Sequence, residues 1–232
     1  MTQNMGTAMG KSEPLLRLLQ LVSPTLPTGA FSYSQGLEWA VEADWVHNGP
    51  TLYNWLNDLA QQSMAFVDIP ILRRMYDAIQ KERFSALEQY CSMLLACRET
   101  AELRREEGTR GRALATLLQS LDVTGANRWD QLIRQSQLAG FALAAVRWEI
   151  TLRDAALGYT WSWLENQIIA GVKIIPLGQT EGQRLLLRLS ADIALTVDLG
   201  LRLKDEEIGS ANQAFALACS QHENQYTRLY RS

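Results

Sequence analysis

The sequence predicts an all-α fold, a single-domain bundle of roughly eight to ten helices. Three observations carry that prediction. From about Leu15 onward, apolar residues recur every three or four positions, the period of one helix face. Sustained period-two alternation is absent, and no Asn-Gly or Asp-Gly turn joins two alternating runs. No Pro-, Gly- or Ser-rich stretch is long enough to act as a linker between separate domains. With 47% hydrophobic and 20% charged residues, the 232-residue chain has the composition of a globular protein with a sizeable core.

The elements follow in order. Residues 1–13 read as a flexible polar tail, 14–220 as the helical domain, and 221–232 as a C-terminal partner-binding tail. A helix over 15–22 leads into SPTLPTGAF, whose two prolines and glycine predict an ordered turn. Ser32 and Gln35 have the spacing of a capping box for a helix beginning near Tyr33. Pro50 suits the first turn of a helix striped by Leu52, Trp55, Leu56, Leu59 and Phe66. Phe84, Leu87, Cys91 and Leu94 mark another helix. The run from Glu102 to Arg112 interleaves Arg104, Arg105, Arg110 and Arg112 with Glu102, Glu106 and Glu107, which predicts a solvated helix face. Asp122–Asn127, DVTGAN, reads as a polar loop. Pro176 and Gly178 end one helix; near Glu181 the next begins, striped by Leu186, Leu189, Ile193, Val197 and Leu201.

Several functions are disfavoured. A net charge of −3 and a pI near 5.5 argue against a broad nucleic-acid footprint. The richest apolar run, Leu138–Ile150, contains Arg147, and Ile168–Leu177 contains Lys173; neither reaches the ~20 residues of a membrane span. GTAMGKS (Gly6–Ser12) is one residue short of a phosphate loop and follows no apolar strand. There is no G-x-S-x-G elbow, and His47 and His222 are the only histidines. Cys219 and His222 share a helical stripe with Ile208, Ala211 and Phe215, so Cys219 reads as core. Thiolate and imidazole also suit nickel, which makes this pair an incomplete metal-site candidate. The absence of an apolar leader, together with an odd count of three cysteines, Cys91, Cys97 and Cys219, and no CxxC pair, predicts a reducing, cytoplasmic setting.

What remains is contact chemistry. Lys173 stands in an apolar helical run, where it either snorkels, pairs internally or serves as a contact residue. Tyr159, Trp161 and Trp163 fit core or interface equally. The chain closes on HENQYTRLYRS, rich in the Tyr and Arg favoured at interface hot spots, which predicts a tail that orders on a partner.

Three segments, SPTLPTGAFSYSQGLE, ENQIIAGVKIIPLGQTEGQRLL and the terminal HENQYTRLYRS, resemble the urease accessory proteins of the UreF type, from about Leu15 to Ser232. The resemblance implies an all-α, usually homodimeric chaperone component without catalytic activity or cofactor of its own. It implies a scaffold partner of the UreD/UreH type, a GTPase of the UreG type, and apo-urease as the object of nickel insertion and metallocentre assembly. By resemblance, Tyr33, Ser34, Gln35, Gly36 and Glu38 shape one surface. Lys173, Gln179, Gly182 and Gln183 form a second that faces the GTPase. His222, Glu223, Tyr226, Arg228, Leu229 and Arg231 order against the scaffold. A regulator of GTP hydrolysis, using Arg228 or Arg231 in trans, is the alternative role.

Overall fold

The computed structural model describes residues 13–209 and 212–232; GTAMGKS and Ala211 lie outside the described residues. Among the described residues there is no β-strand. The α-helical segments are α1 (Glu13–Leu21), α2 (Leu37–Glu42), α3 (Gly49–Leu59), α4 (Ile69–Gln80), α5 (Phe84–Ala96), α6 (Ala101–Ser120), α7 (Asp130–Ile133), α8 (Gln137–Arg147), α9 (Leu152–Ile174), α10 (Gln179–Gly200) and α11 (Gln213–His222). A π-helix, Ala60–Asp68, fuses α3 and α4 into one rod, so the eleven segments make ten separate helices. The all-α expectation holds.

Local chemistry sets the boundaries. Asn48 and Thr51 cap α3 reciprocally at 3.0 and 3.1 Å, and Pro50 fills the first turn, where no N–H is needed. Thr100, Ser136, Thr151 and Asn212 each accept a backbone N–H to start α6, α8, α9 and α11. The π-helix has its cause in Pro70, which cannot donate to the carbonyl of Phe66. That carbonyl accepts the Gly209 N–H at 2.9 Å instead. DVTGAN is a loop, with Asp122 and Gly125 at φ 51° and 84°.

The core gathers around α8, buried from Gln137 to Ala145 and packed against α4 and α6. The long helices α9 and α10, of 23 and 22 residues, run antiparallel. Arg153 of α9 binds Asp198 of α10 at 3.0 Å, while at the other end Gly182 lies so close to α9 that a Cβ there would sit 2.7 Å from Val172. No helix among the described residues is long and apolar enough to cross a membrane.

Two expectations are corrected. The Ser32/Gln35 capping box does not form: Gln35 and Gly36 both take left-handed backbone, φ 53° and 77°, and α2 starts only at Leu37. Gln35 is drawn away because its side chain reaches Glu106 and Trp163, described below. Nor is the charged run of α6 a solvated face. Glu102, Glu106 and Glu107 are 4–7% exposed, each buried against a cation or hydrogen-bond donors. The arginines Arg104, Arg105 and Arg112 take the solvent side.

Candidate functional site

The first and third sequence motifs, read as separate surfaces, meet in one. Its centre is Glu38, in the first turn of α2. Glu38 is buried and accepts the backbone N–H groups of Leu229 and Tyr230 at 2.7 and 2.9 Å. The same carboxylate lies 3.3 Å from Nε2 of His222, whose Nδ1 lies 2.8 Å from Glu102 at the start of α6. Both ring nitrogens of this buried imidazole thus face a carboxylate oxygen. Arg228 binds the other oxygen of Glu102 at 2.5 Å, and the backbone N–H of Glu102 is capped by Glu223 at 2.9 Å. Removing one partner from such a buried pair leaves the other uncompensated.

The last residues extend this anchoring. The carbonyl of Ser232 accepts the backbone N–H groups of Ser34 and Gln35 and the Ser34 hydroxyl, at 2.8, 2.9 and 2.7 Å. The Ser232 hydroxyl donates to Glu106 at 2.9 Å. Gln35 donates to Glu106 at 3.0 Å and accepts from the Trp163 indole at 2.9 Å, which ties α6 to α9. Asn166, on the same face of α9, donates to the carbonyl of Tyr33 at 3.3 Å. Left-handed Gln35 and Gly36 let one short turn present its amides to Ser232 and its side chain to Glu106. Gly36 is required for a second reason: a Cβ would lie 2.9 Å from both the backbone nitrogen and Sγ of Cys219.

The terminal segment, expected to order on a partner, is thus built into its own domain. The physical reason is that Glu38 and Glu102, both in first turns of helices, supply buried acceptors that its amides, His222 and Arg228 satisfy. What it leaves outward are Tyr226, fully exposed, and Leu229, 76% exposed, with Arg231 beside them. An open groove of about 450 Å³ separates Leu229 and Arg231 from Arg105 and Thr109 of α6.

Cys219 and His222 do not present themselves as a ligand pair. Both imidazole nitrogens face carboxylates, and Cys219 packs with Leu59, Leu103 and Phe215. Burial, reinforced by the nearby Glu99 and Glu106, pushes its thiol well above the usual range. His47 is an exposed turn residue.

Behind this surface is a second buried network. Arg98 binds Asp68 at 2.6 and 3.2 Å and Glu107 at 3.2 Å. Tyr159 donates to Asp68 at 3.2 Å, and burial together with the Asp68 charge holds its phenol well above the usual range. The other oxygen of Glu107 caps α8 through Ser136 and the Leu138 N–H, at 3.0 and 3.1 Å. A cavity of about 90 Å³ lies between the two networks, reached by Glu106, Arg110, Asp68 and Arg98.

The second motif is elsewhere. Lys173, Gln179 and Gln183 are exposed at the turn between α9 and α10, and Gly182 is buried against Val172. Lys173 lies roughly two helical turns along α9 from Asn166. It neither pairs internally nor sits among apolar side chains.

Glu102, Glu106 and Glu107 were the functional residues missed in the sequence. One signal could have found Glu107: stepping back along the buried stripe from Leu118 through Leu114 and Gly111 lands on Glu107 and then Leu103. Trp163, Asn166 and Gln167, which hold the Tyr33–Gln35 turn, carried no separate signal.

Comparison with known proteins identifies the family. The family model described as UreF matches residues 46–190. A urease accessory protein UreF from Alcanivorax borkumensis is 48% identical over 223 residues, covering 93% of this chain and 97% of the relative. Proteins of the same description from Pseudomonas putida and Klebsiella pneumoniae are 46% and 44% identical over 224 residues, covering 97% of this chain and all of each relative. This chain belongs to the UreF family of urease accessory proteins.

Proposed function

We propose that this chain is a non-catalytic adaptor in urease maturation, acting in the cytoplasm. It joins a scaffold of the UreD/UreH type and recruits a GTPase of the UreG type, so that nickel is inserted into apo-urease. Nickel is the cargo of that assembly, and the chain carries no cofactor of its own. It works as a homodimer, as the resemblance implies.

The observation that carries the reading is the anchored terminal segment. Buried Glu38, Glu102 and His222, with Arg228 paired to Glu102 at the surface, fix the backbone, while Tyr226 and Leu229 point outward. An exposed Tyr and Leu on a pre-ordered backbone form a docking edge that loses little conformational entropy on binding. The exposed Lys173, Gln179 and Gln183 supply a separate patch for the GTPase.

The test is co-purification of the full chain with the scaffold, measured by size-exclusion chromatography with light scattering. A stable complex is expected, and Tyr226→Ala with Leu229→Ala abolishes it while leaving the fold intact. Undiminished binding by that double variant would refute the role of the terminal edge.

The regulatory alternative has one specific support. Arg228 is committed to Glu102, but the Arg231 side chain is exposed, leaving it to act on a partner's nucleotide site. Arg231→Ala then lowers GTP turnover in the assembled complex without changing its mass; unchanged turnover excludes this role.

A further inference from the structure

Two of the buried donors that lack an acceptor border one spot. The indole Nε1 of Trp129 and the Nε of Arg147 are both shut off from solvent without a hydrogen-bond partner. A buried donor left unpaired forfeits its hydration, so a protein interior normally supplies an acceptor, and an orphan points to a missing water or ion.

Gly125 marks the spot, in the loop between α6 and α7. Its backbone is left-handed, at φ 84°. The position a Cβ would take there lies 3.4 Å from Trp129 Cδ1, the ring atom bonded to Nε1. The same position lies 3.4 and 3.6 Å from Nη2 and Nε of Arg147. Because the residue is glycine, no side chain fills it.

The surroundings fix both donors and leave a charge over. Trp129 is fully buried and stacks on Phe84, with 5.3 Å between ring centres and 15° between planes. Nη2 of Arg147 donates to Glu82 at 2.7 Å. Arg128 reaches the same carboxylate at 2.6 Å and stands 5.8 Å from the Trp129 ring centre. Two guanidinium groups therefore share one carboxylate. Asp130 is engaged elsewhere, by Arg134 and Gln119, and Asp122 is exposed.

We infer that this spot is a binding site for a small monovalent anion, a halide such as chloride, held by Trp129 Nε1 and Arg147 Nε beside Gly125. Both open groups are donors, so the missing group must accept twice. An anion does so and brings no hydrogen of its own. A water would bring two hydrogens in need of acceptors, and the Gly125 carbonyl already accepts the Trp129 backbone N–H at 3.1 Å. The surplus guanidinium charge favours the anion further, since the Arg147 side chain is only 24% exposed and weakly screened. The site joins three segments: the turn before α5 through Glu82, the loop at Gly125, and the end of α8 at Arg147. None of them belongs to the Glu38 cluster or the α9–α10 turn, so the anion acts on stability and not on docking.

The experiment is thermal unfolding of the full chain, followed by circular dichroism, in sodium chloride and in sodium gluconate of equal ionic strength. Gluconate is too large for a position the size of a methyl group. Chloride at about 100 mM is expected to raise the midpoint by about 4 °C over gluconate, the shift for a dissociation constant of about 10 mM. Trp129→Phe keeps the stacking on Phe84, and Arg147→Lys keeps the charge opposite Glu82. Each reduces the chloride-dependent rise to less than about 1 °C, whatever it does to the midpoint itself. An undiminished rise in both variants, or no rise in the wild-type chain, overturns the site.

Crystals grown without halide and soaked in sodium bromide test the geometry without any variant. An anomalous peak within hydrogen-bond distance of both donors is expected. Density there without anomalous signal identifies a bridging water and overturns the anion. An anomalous peak with no chloride-dependent rise in solution is binding at crystal concentration only, and overturns it as well.

Discussion

The Glu38 cluster and the α9–α10 turn are built from the same kinds of residue, yet they do opposite things. In the first, glutamine, glycine, serine and glutamate are turned inward. Gln35 and Ser34 hold the end of the chain, Gly36 makes room for Cys219, and Glu38 fastens the backbone of Leu229 and Tyr230. In the second, Lys173, Gln179 and Gln183 face solvent, and only Gly182 is turned inward. Motif strength therefore does not distinguish a residue that holds the fold from one left for a partner. Burial does, and it divides the expected consequences: changes near Glu38 disturb stability and docking together, whereas changes near Lys173 disturb docking alone.

The largest effect is expected at the carboxylate on which the terminal segment hangs. Glu38→Ala removes the acceptor of two buried amides and one of the two carboxylates facing His222. A loss of about 3 kcal/mol in unfolding free energy is expected, read by urea denaturation. Limited proteolysis of the same variant cuts after Arg228, where the wild-type chain resists. A variant as stable as wild type, with its terminus still protected, would place the anchoring elsewhere. Gly36→Ala comes next, at about 2 kcal/mol, because it combines left-handed strain with a Cβ against Cys219. Its unfolding curve should shift at unchanged slope, since the rest of the bundle is untouched.

These two residues also show how far the sequence could be read. Helix number, the absence of strands, the Pro50 start and the break at Pro176 were all legible, because periodicity and Pro/Gly punctuation are local signals. The role of Glu38 was legible only as membership of a motif, since its acceptors-to-donors pairing joins positions nearly two hundred residues apart. The burial of Glu102, Glu106 and Glu107 was misread for a physical reason. A carboxylate is normally solvated, and nothing local announces that His222, Arg228 and the chain terminus will arrive to satisfy it. The capping box at Ser32 failed similarly, when a long-range bond from Gln35 to Glu106 outcompeted a local one.

Thiol chemistry sharpens the contrast at smaller energetic cost. Burial pushes Cys91 up to about 12, and Cys219 is likewise held well above its usual 9.0. The folded state keeps these protons more tightly than the unfolded chain. The associated stability is therefore complete below pH 9 and is lost as pH rises from there toward 12. At pH 8, a disulfide reagent should label the half-buried Cys97 first and leave Cys91 and Cys219 until unfolding. In the Glu38→Ala background Cys219 should join the fast class, because the Glu38–His222 contact that helps hold α2 and its Gly36 against the thiol is lost; Cys91 should not. Equal rates for all three thiols in the wild-type chain would show that the anchored region opens freely.

The smallest effect on stability is expected at Lys173, and its smallness is the point. The side chain is exposed in the last turn of α9, where a cation gains a few tenths of a kcal/mol from the helix C-terminus. Lys173→Ala should shift the unfolding midpoint by an amount equivalent to less than about 0.5 kcal/mol. If the α9–α10 turn is the GTPase-facing patch, the same variant retains the scaffold in co-purification yet loses the GTPase and urease activation. Lys173→Arg, which keeps the charge on a bulkier head, should recover some of that loss. Normal activation by Lys173→Ala would remove the functional half of the contrast. The exposed turn would then be a solvated helix end, and the anchored terminal edge the one docking surface of the pair.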